Sequence, residues 1–160
     1  MLSKIIGLIK ANPQPPSNKL QGLLGVADAT WGVAPNGLAN VTDGNRDTYS
    51  GTGTKTVSGA GNLGYITFDL GSVKTILVGG KFGIWSTANG ITCFLQVSNT
   101  DSNYRTTATL INGSTNTSEA VIEATPAIVT TRYLKLRFYA SGAMDANVKL
   151  YELGAWDLGS

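Results

Sequence analysis

From about residue 26 onward, apolar and polar positions alternate in short runs. Ile66, Phe68 and Leu70 alternate with Tyr65, Thr67 and Asp69. Ile76-Leu77-Val78 follows, and the pair Gly79-Gly80 is read as its break. Phe94-Leu95-Gln96-Val97 runs into the turn-like Ser98-Asn99-Thr100-Asp101. Leu134, Leu136 and Phe138 alternate with Tyr133, Lys135, Arg137 and Tyr139, and Val148 and Leu150 close the series. Period-two alternation bounded by turn residues predicts an all-β, antiparallel β-sandwich or barrel. No helix periodicity and no internal repeat stand out in residues 26–160.

The first residues have a different period. Leu2, Ile5, Ile6 and Ile9 fall at i, i+3, i+4 and i+7, one face of a short helix. Asn12-Pro13 stops it, and Gln14-Pro15-Pro16-Ser17 reads as an extended spacer. Residues 1–25 are expected to form an arm and spacer, and 26–160 the sandwich. About ten residues make a marginal helix alone in water, so the arm is expected to dock on its own domain or a neighbouring subunit.

Composition narrows the function. Charged residues make up 14% of the 160-residue chain and the net charge is +2. Without a dense Lys/Arg cluster, a nucleic-acid partner is not expected. Histidine is absent, which removes the commonest general base and the usual zinc sites. No motif couples any two of the ten acidic residues, so no enzyme activity is expected. The single Cys93 lies in an apolar run and reads as a small buried hydrophobe. No stretch approaches the roughly 18 apolar residues of a membrane span, and no secretory signal is evident.

One charged position does not fit the pattern. Glu152 is two residues beyond Leu150 and so in phase with the core face of the last strand. A carboxylate there must be paired or bound to a cation. The turn Asp43-Gly44-Asn45-Arg46-Asp47-Thr48 offers closely spaced oxygens of the kind hard cations take.

The motifs Ala39-Asn40, Asp43 through Thr48, Asp69-Leu70-Gly71, Ser98 through Asp101 with Tyr104, Arg132-Tyr133-Leu134 and Glu152-Leu153 occur in a telling order. Over residues 26–157 the chain resembles the discoidin, or coagulation-factor type C, family of galactose-binding-like jelly rolls. The resemblance implies a structural calcium held by Asn40, Asp43, Asn45, Thr48, Tyr151 and Glu152, tying the early turn to the last strand. It also implies sugar or lipid recognition by loops at one end, through aromatic platforms with polar neighbours. Trp31, Trp85, Asn89 and Arg105 are the candidates. Trp85 stands out because residues 84–90 read as a loop, whereas Tyr104 matches a packed aromatic and Trp156 is expected to pack beside the terminus.

Two non-catalytic functions follow. The first expectation is a structural or attachment subunit of a larger assembly, in particular a bacteriophage virion component. It would be anchored by Leu2, Ile5, Ile6 and Ile9, partnered by other subunits including its own copies, and located in the virion or host cytoplasm. The alternative is a carbohydrate-binding module recognising surface glycans.

Overall fold

The computed structural model describes residues 18–23, 25–27, 31, 37–114 and 116–158. The expected arm residues Leu2, Ile5, Ile6 and Ile9 lie outside the described residues. The strands are β1 (Val26–Ala27), β2 (Ser50–Gly51), β3 (Lys55–Val57), β4 (Gly61–Ser86), β5 (Ile91–Ser98), β6 (Arg105–Ser114), β7 (Ala120–Glu123), β8 (Ala127–Ala140) and β9 (Met144–Asp157). The only helix among the described residues is a short 3-10 turn, Leu38–Val41.

All pairings are antiparallel, and two long strands divide them into two layers. Residues 61–69 of β4 pair with residues 133–140 of β8, β8 with β5, and β5 with β6. Residues 76–86 of β4 pair instead with β9, which also carries β2 and β3; β7 and the start of β8 lie on the other side of β4. The register shifts between Asp69 and Lys74, where Gly71 takes φ +78°. There Asp69 and Arg132 form a two-pronged ion pair, Nε to Oδ1 and Nη2 to Oδ2, each 2.8 Å. Two motifs of the resemblance thus meet where the register of the long β4–β8 pairing shifts.

The alternation puts Ile66, Phe68, Ile76, Val78, Leu95, Val97, Leu134, Leu136, Phe138, Val148 and Leu150 in one core, together with Cys93. Phe82 of one layer meets Phe138 of the other edge-on, with centroids 5.9 Å apart. Burying each such side chain contributes about 1.5–3 kcal/mol, which makes this face the main source of stability.

Three local expectations are corrected. Gly79-Gly80 does not break a strand, for β4 runs through it. Residues 84–86 are the end of β4 rather than a loop. Glu152 is not on the core face. Lys81 pairs with Glu152 but Phe82 with Leu150, so Tyr151 is the extra residue of a bulge. One extra residue reverses the alternation, and Leu153 and Ala155 become the buried positions.

Candidate cation corner and ligand cleft

The bulge aims Glu152 outward, under the 43–48 turn. That turn is closed by its own side chains. Asp43 Oδ1 accepts the Asn45 N–H at 2.7 Å, and Asn45 Oδ1 accepts the Asp47 N–H at 3.0 Å. The Thr48 hydroxyl lies 2.8 Å from Asp43 Oδ2 and 3.1 Å from the Asn45 carbonyl oxygen. Gly44 takes φ +80°, a conformation open to glycine at no steric cost. Asn40 donates its amide to the Tyr49 carbonyl at 3.3 Å, which ties the preceding helical turn to the strand that follows.

Glu152 meets this turn through the Gly44 N–H. Its Oε1 accepts a long bond of 3.5 Å from the Asn18 amide, while Oε2 is buried without a hydrogen-bond partner. Desolvation, with a contribution from the Asp43 charge, pushes the Glu152 carboxyl up to about 7 against the opposing Gly44 N–H and Arg46. Two carboxylates, a hydroxyl and a carbonyl oxygen are therefore gathered in one corner. The donor chemistry fits a hard cation, which would satisfy the orphaned oxygen. Among the described residues no group of three or more acidic, cysteine or histidine side chains gathers anywhere. The Tyr151 side chain is engaged elsewhere. Its ring packs on Tyr49 at 5.4 Å and its hydroxyl donates to Glu119 at 3.0 Å.

Beside the corner, on the outer face of β4 and β9, lies a cleft of about 280 Å³. Its walls include Arg46, Glu123 and Pro126. Gly79 and Gly154, directly paired across the two strands, lie in its floor. A methyl group on Gly154 would come within 2.4, 2.6 and 2.9 Å of three atoms of the six-membered Trp156 ring, and one on Gly79 within 3.5 Å. The indole lies across the bare backbone of these two glycines. Arg46 and Glu123 form an ion pair at the rim. Lys81 donates to the Arg46 carbonyl at 2.8 Å and stands 4.0 Å from Asp47. Asn18 donates to the Leu153 carbonyl and accepts the Ala155 N–H, which pins the chain entering the sandwich to β9.

The four expected ligand residues are not brought together. Trp31 is a core residue, 1% exposed, with its ring 5.3 Å from Phe138 and its indole N–H on the Ser50 hydroxyl at 3.1 Å. It is not a platform for a ligand, because its apolar surface is already spent on the core. Trp85 is half-buried and donates to the Thr117 carbonyl at 3.0 Å. Asn89 ties two loops together by donating to the Ala143 carbonyl at 2.7 Å. Arg105 is exposed at the start of β6, opposite Val97 at the far end of β5 from Ile91 and the Asn89 loop. Trp156, expected to pack beside the terminus, packs on Gly154 of the same last strand and also lines the cleft. Its signal in the sequence was Gly-x-Trp on the last strand together with Gly79-Gly80, since a glycine inside a strand often marks a close approach.

No family model matches the chain, and no curated protein does. Solved structures do. A point mutant of chitosan-binding module 1, derived from a chitosanase/glucanase of Paenibacillus sp. IK-5, shares 18% identity at a TM-score of 0.56, covering 88% of this chain and 98% of that one. Module 2 of the same enzyme, in complex with chitotriose, shares 17% at 0.56, covering 87% and 99%. A mutant lectin-binding domain of lectinolysin, complexed with Lewis b, shares 15% at 0.54, covering 92% and 100%. The layers, the strand-switching β4 and β8 and these likenesses agree: the chain has the galactose-binding-like, discoidin-type jelly-roll fold.

Proposed function

We propose that this chain is a non-catalytic saccharide-binding domain. The observation that carries the reading is that the likeness spans 98–100% of three modules whose bound or named ligands are chitosan, chitotriose and Lewis b. The sandwich here thus corresponds to a whole binding module. The test is a screen of the purified protein against immobilised glycans, followed by calorimetry on the hits. Saturable binding to at least one saccharide is expected. Indifference to a broad panel in the presence of calcium would sink the reading.

We also propose that the corner holds a structural calcium. Asp43 and Glu152 would supply its charge, with oxygens from Asn40, Asn45, Thr48 and Tyr151 as the resemblance implies. When bound, the cation would cancel the repulsion between the two carboxylates and clamp the 43–48 turn onto β9. The orphaned Glu152 oxygen supports this. The virion-subunit role draws on residues outside those described, whereas the saccharide reading draws on the whole described sandwich and is the better supported.

A further inference from the structure

The cleft of β4 and β9 has a shape and a charge balance that specify more than binding in general. Its volume, about 280 Å³, falls just below the roughly 300–1,000 Å³ typical of sites for drug-sized ligands. The occupant is therefore small. One face of the Trp156 indole is turned down onto Gly154 and Gly79, so the opposite face is turned away from the sheet, as an apolar platform needs to be. The rim carries both signs of charge: Arg46 pairs with Glu123, and Lys81 stands 4.0 Å from the exposed Asp47 just outside the cleft. Glu152 itself lines the cleft and feels the Asp43 charge beside it, and a divalent cation bound in the corner, as proposed above, would balance the two. With that cation bound, no net charge is left to select an ionic ligand. Donor and acceptor capacity remains, because Arg46 and Glu123 are more than half exposed and a guanidinium and a carboxylate each have several bonding sites beyond one mutual contact.

We infer that this cleft, rather than the loops at the end of the sandwich, is the saccharide site, and that it takes a neutral terminal sugar stacked on Trp156 and hydrogen-bonded by the Arg46–Glu123 pair. The inference rests on the saccharide-binding reading and assigns its place and ligand class. An aromatic face with flanking donors and acceptors suits a pyranose, which is apolar on one face and hydroxylated at its edge. A uronic acid or a free amino sugar would meet rim charges that are already paired and so gains little from its own charge.

The experiment measures affinity by calorimetry for one neutral, one uronic-acid and one free-amino oligosaccharide, with the wild type and the variants Trp156→Ala, Glu123→Ala and Trp85→Ala. The wild type is expected to prefer the neutral sugar. Trp156→Ala should weaken it by about tenfold, the loss of one aromatic stacking contact. Glu123→Ala should do the same by removing a charged hydrogen-bonding group, with an unchanged melting curve because the side chain is exposed. Trp85→Ala should bind as the wild type does. Loss of binding in Trp85→Ala with none in Trp156→Ala and Glu123→Ala would overturn the assignment and leave the saccharide reading standing. So would preference for the charged sugars. A wild type that binds no saccharide overturns both.

Discussion

Glu152 is the residue at which the chain is least satisfied. A buried carboxylate oxygen without a partner costs about 1–3 kcal/mol, and the Asp43 charge adds to that. Glu152→Gln removes the charge and keeps the shape. In a chelator, the variant is expected to melt at or above the wild-type temperature. In calcium the order should reverse. At 100 times the dissociation constant the cation adds about 2.7 kcal/mol, or about 5–10 °C for a domain of this size, to the wild type alone. A variant destabilised equally in chelator and in calcium would show that Glu152 is held by the protein and not by a cation. Gly154 offers a second test at this scale. Gly154→Ala places a methyl group 2.4 Å from the Trp156 ring, which must swing off the sheet. A red-shifted tryptophan emission is expected, with a stability loss of only about 1 kcal/mol because the indole can move. Unchanged emission would mean that the ring does not lie on that floor.

Among the elements, the alternating strands were legible because a buried face writes its period directly into the sequence. Ile66, Phe68, Leu134, Leu136 and Phe138 sit in the core as read, with Leu70 partly buried against it. Glu152 was misplaced for a specific reason: a bulge adds one residue without leaving a mark, and the period read through Leu150 then points the carboxylate to the wrong face. Gly79-Gly80 was misread because glycine punctuates turns and also permits close packing within a strand, and only the partner strand decides between the two. The Asp69–Arg132 pair shows what motifs can carry, since two pieces more than 60 residues apart join at the strand switch. This pair holds the Asp69 carboxyl down to about 2, chiefly through the Arg132 hydrogen bonds. A carboxylate depressed when folded stabilises above its unfolded value and loses that contribution as pH falls through the folded one. Stability should therefore drop between about pH 4 and pH 2, and Asp69→Asn should flatten part of that slope in acid melts. Identical acid slopes in the two proteins would place the loss elsewhere, for instance at Glu119, which Lys149 holds down in the same way.

At the scale of the molecule, the fold was readable and the cleft proposed as the ligand site was not. The fold depends on a pattern repeated along every strand, whereas the cleft depends on Arg46, Gly79, Glu123 and Trp156, which only the sheet order brings together. Conversely, Trp85 with Asn89 and Arg105 suit a sugar site by type, but β5 holds them at opposite ends of the sandwich. The same separation of local from distant information bears on the first 17 residues. Among the described residues, the cleft and the corner are built from Asn18 onward, and Asn18 with Lys19 is bonded directly to β9. If saccharide binding is the chain's function, a protein beginning at residue 18 should keep the wild-type affinity and its response to calcium. An assembly subunit would behave in the opposite way, with oligomers or particle attachment lost on truncation. Calorimetry and light scattering on the same two samples separate these outcomes. Retained affinity at an unchanged oligomeric state supports the binding domain. Lost oligomers in a chain that binds no saccharide would instead make the first 17 residues, and the assembly they serve, the seat of the function.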